Sequence, residues 1–474
     1  MQISQILGPD SCVARYSHRE FGARLLGTLR SQEAHQSLAV RIARGAVWSI
    51  VGSGLSQSLG LIATVICARL LGRSSYGELG IILATVYLFA TVASVGLGVT
   101  ATAHVAQFKT TDPCKAGRTI GMSLMVSYCV GMIVALALVC AAPWLSKSVL
   151  NAPNLGTELR IGSLMMFFAA VNAYQNGVLS GFEAFRTIAM LNLIRGVVSC
   201  PLIVAGVTIA GLRGALLAYT VVSAFTFGLY QVAIRKQCKS HGVPISYRCE
   251  RADARVLWSF SLPVLIATLS FTPATWWSNA LLVGRTSFAE MGLFSAALQL
   301  QAAVMFLSNA VGNIGLPTLS SIVGEKNMPK YTRVLAINFA LTALPALLAA
   351  VPFVVASSYI MSLYGPQFKE GAAVLRLLSI ATVLTSLNIT VGHAIWSLEA
   401  PIAGMVLAIM RGVTLIACTY LFVSRGAVGL ATAYVVTGVV LTAIQAPFMF
   451  GLLRSRAKLW SGESTPSYAV CLAD

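Results

Sequence analysis

Apolar stretches of roughly 20 residues follow one another along most of this chain with short polar breaks between them, a spacing matched to the thickness of a bilayer. In hydrocarbon every backbone N–H and C=O must find its partner inside the protein, so only helices and closed barrels span it. The runs here are continuous rather than alternating, which excludes the barrel. The pattern predicts an all-α integral membrane protein with about twelve transmembrane helices. They lie at roughly 46–68, 79–103, 117–142, 159–181, 187–210, 214–236, 256–283, 289–316, 334–357, 371–396, 402–423 and 428–453. With 57% hydrophobic and only 10% charged residues, most of the chain has to avoid water.

Duplication is the second constraint. Leu71-Gly72-Arg73-Ser74-Ser75-Tyr76-Gly77-Glu78-Leu79-Gly80 returns as Val283-Gly284-Arg285-Thr286-Ser287-Phe288-Ala289-Glu290-Met291-Gly292. Leu159-Arg160, Asn172, Glu183-Ala184 and Arg195-Gly196-Val197 are echoed at Leu375-Arg376, Asn388, Glu399-Ala400 and Arg411-Gly412-Val413. An ordered series of this kind marks a duplicated chain, and duplicated halves around a central site are how many transporters are built. The expected organisation is two pseudo-symmetric six-helix lobes around a central cavity. A basic N-terminal tail (1–45) precedes the N-lobe (46–236), a basic linker (237–255) leads to the C-lobe (256–453), and a tail (454–474) follows.

Most of the 33 Lys and Arg fall in segments on the side of the N-terminus, which places both termini and the linker in the cytoplasm. The net charge of +18 is thereby explained by topology, with anionic lipid headgroups rather than nucleic acid as the partner. None of the ten cysteines lies in a predicted outer loop, and no Cys/His spacing suits a metal. The chain shows no nucleotide, metal or hydrolase motif and no loop large enough for a catalytic domain, so neither an enzyme nor a cofactor is expected.

Polar stripes at helical spacing mark packed or water-lined faces, since lipid-facing surface has no use for them. The first helix carries Ser49, Ser53, Ser56, Gln57 and Thr64, and the second Tyr87, Thr91, Ser94, Gly98 and Thr102. The seventh aligns Ser261, Thr268, Thr272, Thr275 and Asn279 beside Trp276 and Trp277, and the eighth aligns Ser295, Gln299, Asn309 and Asn313. Small hydroxyl residues also serve plain helix packing, but the amides need partners that a hydrated cleft would supply. Arg195 and Arg411 each fall near mid-helix, where burying an arginine costs about 2.5–3.5 kcal/mol on insertion scales. Two symmetry-related guanidiniums suit an anionic ligand gripped bidentately; the other reading is that they snorkel or brace neighbouring helices. Arg73 and Arg285 sit at outer helix ends, where a topological or headgroup role is expected.

Ala68-Arg69-Leu70-Leu71-Gly72-Arg73-Ser74-Ser75-Tyr76-Gly77 resembles the turn after the first helix of bacterial polysaccharide-type flippases. Leu363-Tyr364-Gly365-Pro366-Gln367-Phe368, with the following Ala372 to Leu378, and Gly181-Phe182-Glu183-Ala184-Phe185, with Asn192, are similar to two further segments of that family. The resemblance covers most of residues 40–453 and implies the multidrug/oligosaccharidyl-lipid/polysaccharide exporter superfamily. It implies a cavity lined by the first two helices of each lobe, where the polar stripes fall. It also implies movement of a polyprenyl-diphosphate-linked oligosaccharide across the bacterial inner membrane for O-antigen or exopolysaccharide synthesis, with a polysaccharide polymerase as partner. On that reading Gln57, Asn279, Gln299, Asn309 and Trp276 contact sugars, Arg195 and Arg411 neutralise diphosphate, and the lobes rock about the linker. The alternative is a cation-coupled multidrug exporter. That branch usually carries a membrane carboxylate, and none lies at comparable depth in the predicted helices.

Overall fold

A computed structural model describes residues 38–94, 96–247, 265–266, 268–323, 327–398 and 401–461. The main elements are helices α1 (Leu38–Ser94), α2 (Leu97–Phe108), α3 (Pro113–Trp144), α4 (Gly156–Gly181), α5 (Phe185–Ser240), α6 (Thr272–Arg285) and α7 (Phe288–Val323). They continue with α8 (Met328–Val355), α9 (Ala372–Ser397), α10 (Pro401–Phe422) and α11 (Gly426–Ser461). No strand occurs among the described residues. Among the described residues, seven helical stretches are long and apolar enough to cross a membrane. Their outward faces fit that medium: on α8, Leu341, Leu344, Leu348, Val351 and Val355 form an exposed stripe at helical spacing, a liability in water and a match to lipid.

Glycines break the longest helices. Gly72 interrupts α1 at φ 75°, ψ 172°, a region essentially confined to glycine. Ala210 and Gly211 (φ 55°, ψ −131°) interrupt α5 in the same way. Gly96 (φ 68°) separates α1 from α2 inside what the sequence presents as one apolar run. Beyond that break the polar stripe becomes packing surface: Thr102 Oγ1 donates to the Gly177 carbonyl at 2.9 Å, and Gly98 and Gly177 touch backbone to backbone. Asp112 and Asn327 cap α3 and α8 equivalently, each side chain accepting from the backbone N–H three residues on, at 2.9 and 3.0 Å.

The buried apolar residues divide in an informative way. One cluster draws on both halves of the chain: Tyr76, Leu79 and Ile82 lie in it with Met291, Phe294, Tyr364 and Phe368. The buried members of a second all come from the first half, from Leu97 to Val243, with Leu265 of the second half packed against them, and those of a third all come from the second half, from Leu319 to Met449. Among the described residues the halves therefore share a core at the end bearing the repeated Gly–Arg turn, and at the other end the buried cores are drawn from one half each.

The linker departs from expectation at its start. α5 runs on to Ser240, and residues 243–247 then lie across the N-terminal part of α3. Ser246 N–H donates to the Gly117 carbonyl at 3.3 Å. A Cβ on Gly117 would overlap the Pro244 carbonyl, and one on Gly121 the Ser246 carbonyl. The first part of the linker is thus strapped to the first half. Residues 248–255 lie outside the described residues.

Candidate functional site

The two copies of the repeated turn meet each other in space. Gly77 of the first copy lies against the Phe288 carbonyl of the second, and Gly292 of the second against the Arg73 carbonyl of the first. Neither contact leaves room for a side chain. The Arg73 guanidinium crosses the same seam. It donates to Glu290 Oε1 and Glu370 Oε2, both at 2.6 Å, and through Nε to the Ala289 carbonyl at 3.1 Å. Glu290 is also occupied on its other oxygen, which accepts from Ala427 N–H at 2.7 Å at the start of α11. Arg69 Nε donates to the Leu363 carbonyl at 2.6 Å, and Tyr76 meets the rings of Tyr364 and Phe368 edge-on.

Further along the seam Trp276 of α6 donates its indole N–H to Thr85 Oγ1 of α1 at 2.9 Å, so this expected sugar contact is engaged in joining the halves. Asn279 is buried, with Oδ1 unpaired among the described residues. Gln57 and Gln299 are half-buried. Asn309 lies on α7 with its side chain outside the described residues, as do the side chains of Ser49, Ser53 and Asn313; Ser261 lies outside them altogether.

The mid-helix arginines are not equivalent. On α5 the exposed apolar stripe runs through Met190 and Val197, and Arg195 projects about 140° round the helix from it. Its side chain is exposed and makes no hydrogen bond or ion pair to another described residue. On α10 the stripe runs through Ile402, Val406, Ile409 and Val413, and Arg411 points directly away from it. There its guanidinium lies over the Phe271 ring, 4.0 Å from the centroid. The repeat explains the difference. Gly196 packs on Ser56 and Gly412 on the Ser270 carbonyl, so the residues that follow, Gln57 and Phe271, hold the same register. One copy offers its arginine an amide's position, the other a ring.

Sequence reasoning missed the acceptors of Arg73. Glu290 was visible as part of the repeat, and the matching signal would have been an arginine and a glutamate at helix ends more than 200 residues apart, which no local spacing reveals. Glu158 is a second case, a carboxylate buried at a helix end and bound to Arg213 Nε at 2.9 Å.

These features define a polytopic helical membrane protein in which the two copies of the repeated turn pack against each other. A family model described as "Polysaccharide biosynthesis protein" matches residues 42–323, more than half of the chain, and the chain belongs to that family. It is 22% identical over 346 residues to the EPS I polysaccharide export inner membrane protein EpsE of Ralstonia nicotianae, covering 72% of this chain and 79% of that protein. The EpsE of Ralstonia solanacearum is 22% identical over 313 residues, or 64% and 70% of the two chains. Among solved structures, an inward-facing multidrug-resistance MATE family transporter of the MOP superfamily overlays with a TM-score of 0.72 at 17% identity, over 84% of this chain and 96% of that one. An outward-facing structure of a multidrug-resistance MATE family transporter overlays at 0.68 and 16% identity, over 87% and 96%. The chain thus has the fold of MOP-superfamily transporters.

Proposed function

We propose that this protein is a flippase that carries a polyprenyl-diphosphate-linked oligosaccharide across the bacterial inner membrane for surface polysaccharide synthesis. In this reading the breaks at Gly72 and Gly211 turn α1 and α5 into two crossings each, α2 completes the second crossing, and α3, α4 and α6 to α11 bring the total to twelve, in two lobes with both termini in the cytoplasm. The observation that carries the reading is the division of the core: shared at the Gly–Arg end, separate at the other. A core shared at one end and drawn from single halves at the other suits one state of an alternating-access cycle, with the cytoplasmic end as the opening one. The family and the export function named for the relatives supply the substrate class.

In this mechanism the diphosphate head enters the cleft while its lipid tail stays in the bilayer. Arg195, exposed and without a partner among the described residues, grips a phosphate, and Gln57 in the neighbouring register takes a sugar hydroxyl. Asn279, Gln299 and Asn309 extend the polar lining. Arg411 stays on Phe271 and braces the second lobe. Outward passage of negative charge is helped by an inside-negative potential, by about 2.3 kcal/mol per charge per 100 mV. The lobes rock about the linker, whose first part, to residue 247, is strapped to α3.

The test is reconstitution in liposomes with a lipid-linked oligosaccharide, reading the fraction of sugar that becomes accessible on the opposite side. Flipping by the wild type that is lost in Arg195→Ala and retained in Arg411→Ala is the expected result. Failure to flip any of several lipid-linked sugars, with ion-driven dye efflux instead, would overturn the reading in favour of a drug exporter.

A further inference from the structure

The repeated turn leaves one guanidinium unused. Arg285 ends α6, is exposed, and makes no hydrogen bond or ion pair to another described residue, whereas its counterpart Arg73 makes three bonds. It borders a cavity of about 180 Å³ together with Asn151 and Trp277, over an apolar floor that includes Val149 and Leu281. The α6 residues that line this cavity spread over about 100–240° round the helix from Asn279 and centre on the opposite face, so it is not the cleft described above. It joins the two halves at the Gly–Arg end, because Val149 and Asn151 follow α3 while the other lining residues belong to α6.

Each wall is set in place by the fold. Asn151 has a left-handed backbone (φ 50°), and the next residue, Ala152, donates its N–H to the Ser146 carbonyl at 2.7 Å. Trp277 donates its indole N–H to Tyr420 OH at 3.3 Å, which orients the ring and leaves the residue 38% exposed beside the cavity. Gly284 keeps the space open: a Cβ there would meet only the Val149 carbonyl, at 3.8 Å. Arg285 is the one ionisable residue of the lining, so the cavity is cationic. A guanidinium with a free fork, an amide and an indole above apolar side chains is the chemistry that receives a phosphate at a membrane interface. The fork takes phosphate oxygens, the amide takes an adjoining hydroxyl or ester oxygen, and the indole borders the chain.

We propose that this cavity binds the phosphate group of a membrane lipid. The same chemistry serves an anionic phospholipid and a polyprenyl diphosphate, and the site does not depend on the flippase reading. The experiment is native mass spectrometry of the full-length protein titrated separately with dioleoylphosphatidylglycerol, undecaprenyl diphosphate and dioleoylglycerol, which has no phosphate. Arg285→Gln is expected to weaken the tightest binding of at least one phosphate lipid about tenfold or more, as loss of a charge-assisted bond implies. Arg285→Lys should restore part of it, and Asn151→Asp, which sets a carboxylate against the phosphate, should weaken it similarly; dioleoylglycerol binding should not change. An effect on phosphatidylglycerol alone assigns the site to bulk phospholipid, and one on undecaprenyl diphosphate alone to the polyprenyl lipid. Unchanged affinity for both phosphate lipids in Arg285→Gln would overturn the proposal, as would an equal loss of dioleoylglycerol. Failure of flipping in liposomes would leave it standing.

Discussion

Gly72-Arg73 and Gly284-Arg285 are the same dipeptide in the two copies of the repeat, and the fold uses them in opposite ways. At Gly72 the backbone takes a conformation open only to glycine and the helix breaks; at Gly284 the helix runs on to its end at Arg285. Arg73 is consumed by two carboxylates and a carbonyl across the seam, while Arg285 stands exposed beside a cavity. The same divergence separates Arg195 from Arg411. Duplication preserves residue types, but what each does is decided by the neighbours it meets, and a pseudo-symmetric pair can hold one structural member and one free to bind.

The comparison can be broken most severely at the seam. Gly77→Leu places a side chain where the Phe288 carbonyl lies and should cost about 3 kcal/mol or more, read as a large fall in Tm in detergent and loss of the monodisperse species. The paired glycines come next. Gly72→Ala should destabilise by about 1–3 kcal/mol because of its backbone angles, and Gly284→Ala should stay within about 0.5 kcal/mol. Equal effects would mean the two turns are alike after all. Arg73→Gln is expected to cost about 1–2 kcal/mol, by leaving Glu290 short of a partner, and to raise thiol labelling of Cys67, which is buried in the core that both halves share; Arg285→Gln should do neither. The smallest contrast sharpens the second pair. Arg411→Ala should lower stability by about 0.5–2 kcal/mol through loss of the Phe271 contact, with no such loss in Arg195→Ala.

The membrane-spanning character and helical class were legible because apolar length is set by the bilayer and is written continuously along the chain. The repeated turn is legible as ordered residue matches, and the structure brings its two copies into contact. Less visible were the breaks, since a glycine inside an apolar run reads alike whether its φ is helical or left-handed; Gly72, Gly96 and Gly211 are broken positions, and Gly284 is not. The acceptors of Arg73 were hidden because they come from distant helix ends. Arg195 and Arg411 were found together as repeat mates, but their different surroundings turn on Phe271 standing in the register of Gln57, a substitution that hydrophobic pattern alone does not flag. The place of Trp276 on a polar face suggests a sugar contact, and its bond to Thr85, 191 residues away in sequence, exists only in three dimensions.

The strap of residues 243–247 across Gly117 and Gly121 has a consequence for biogenesis. Gly117 and Gly121 have been translated before the second half begins, so a ribosome can deliver the first half with that edge already strapped. The bonds of Arg73 run on the opposite schedule, because Glu290 and Glu370 emerge long after it. Assembly therefore leaves an early arginine at the seam waiting for a late carboxylate, and a nascent chain stalled before residue 370 would carry a completed first half with an unsealed rim.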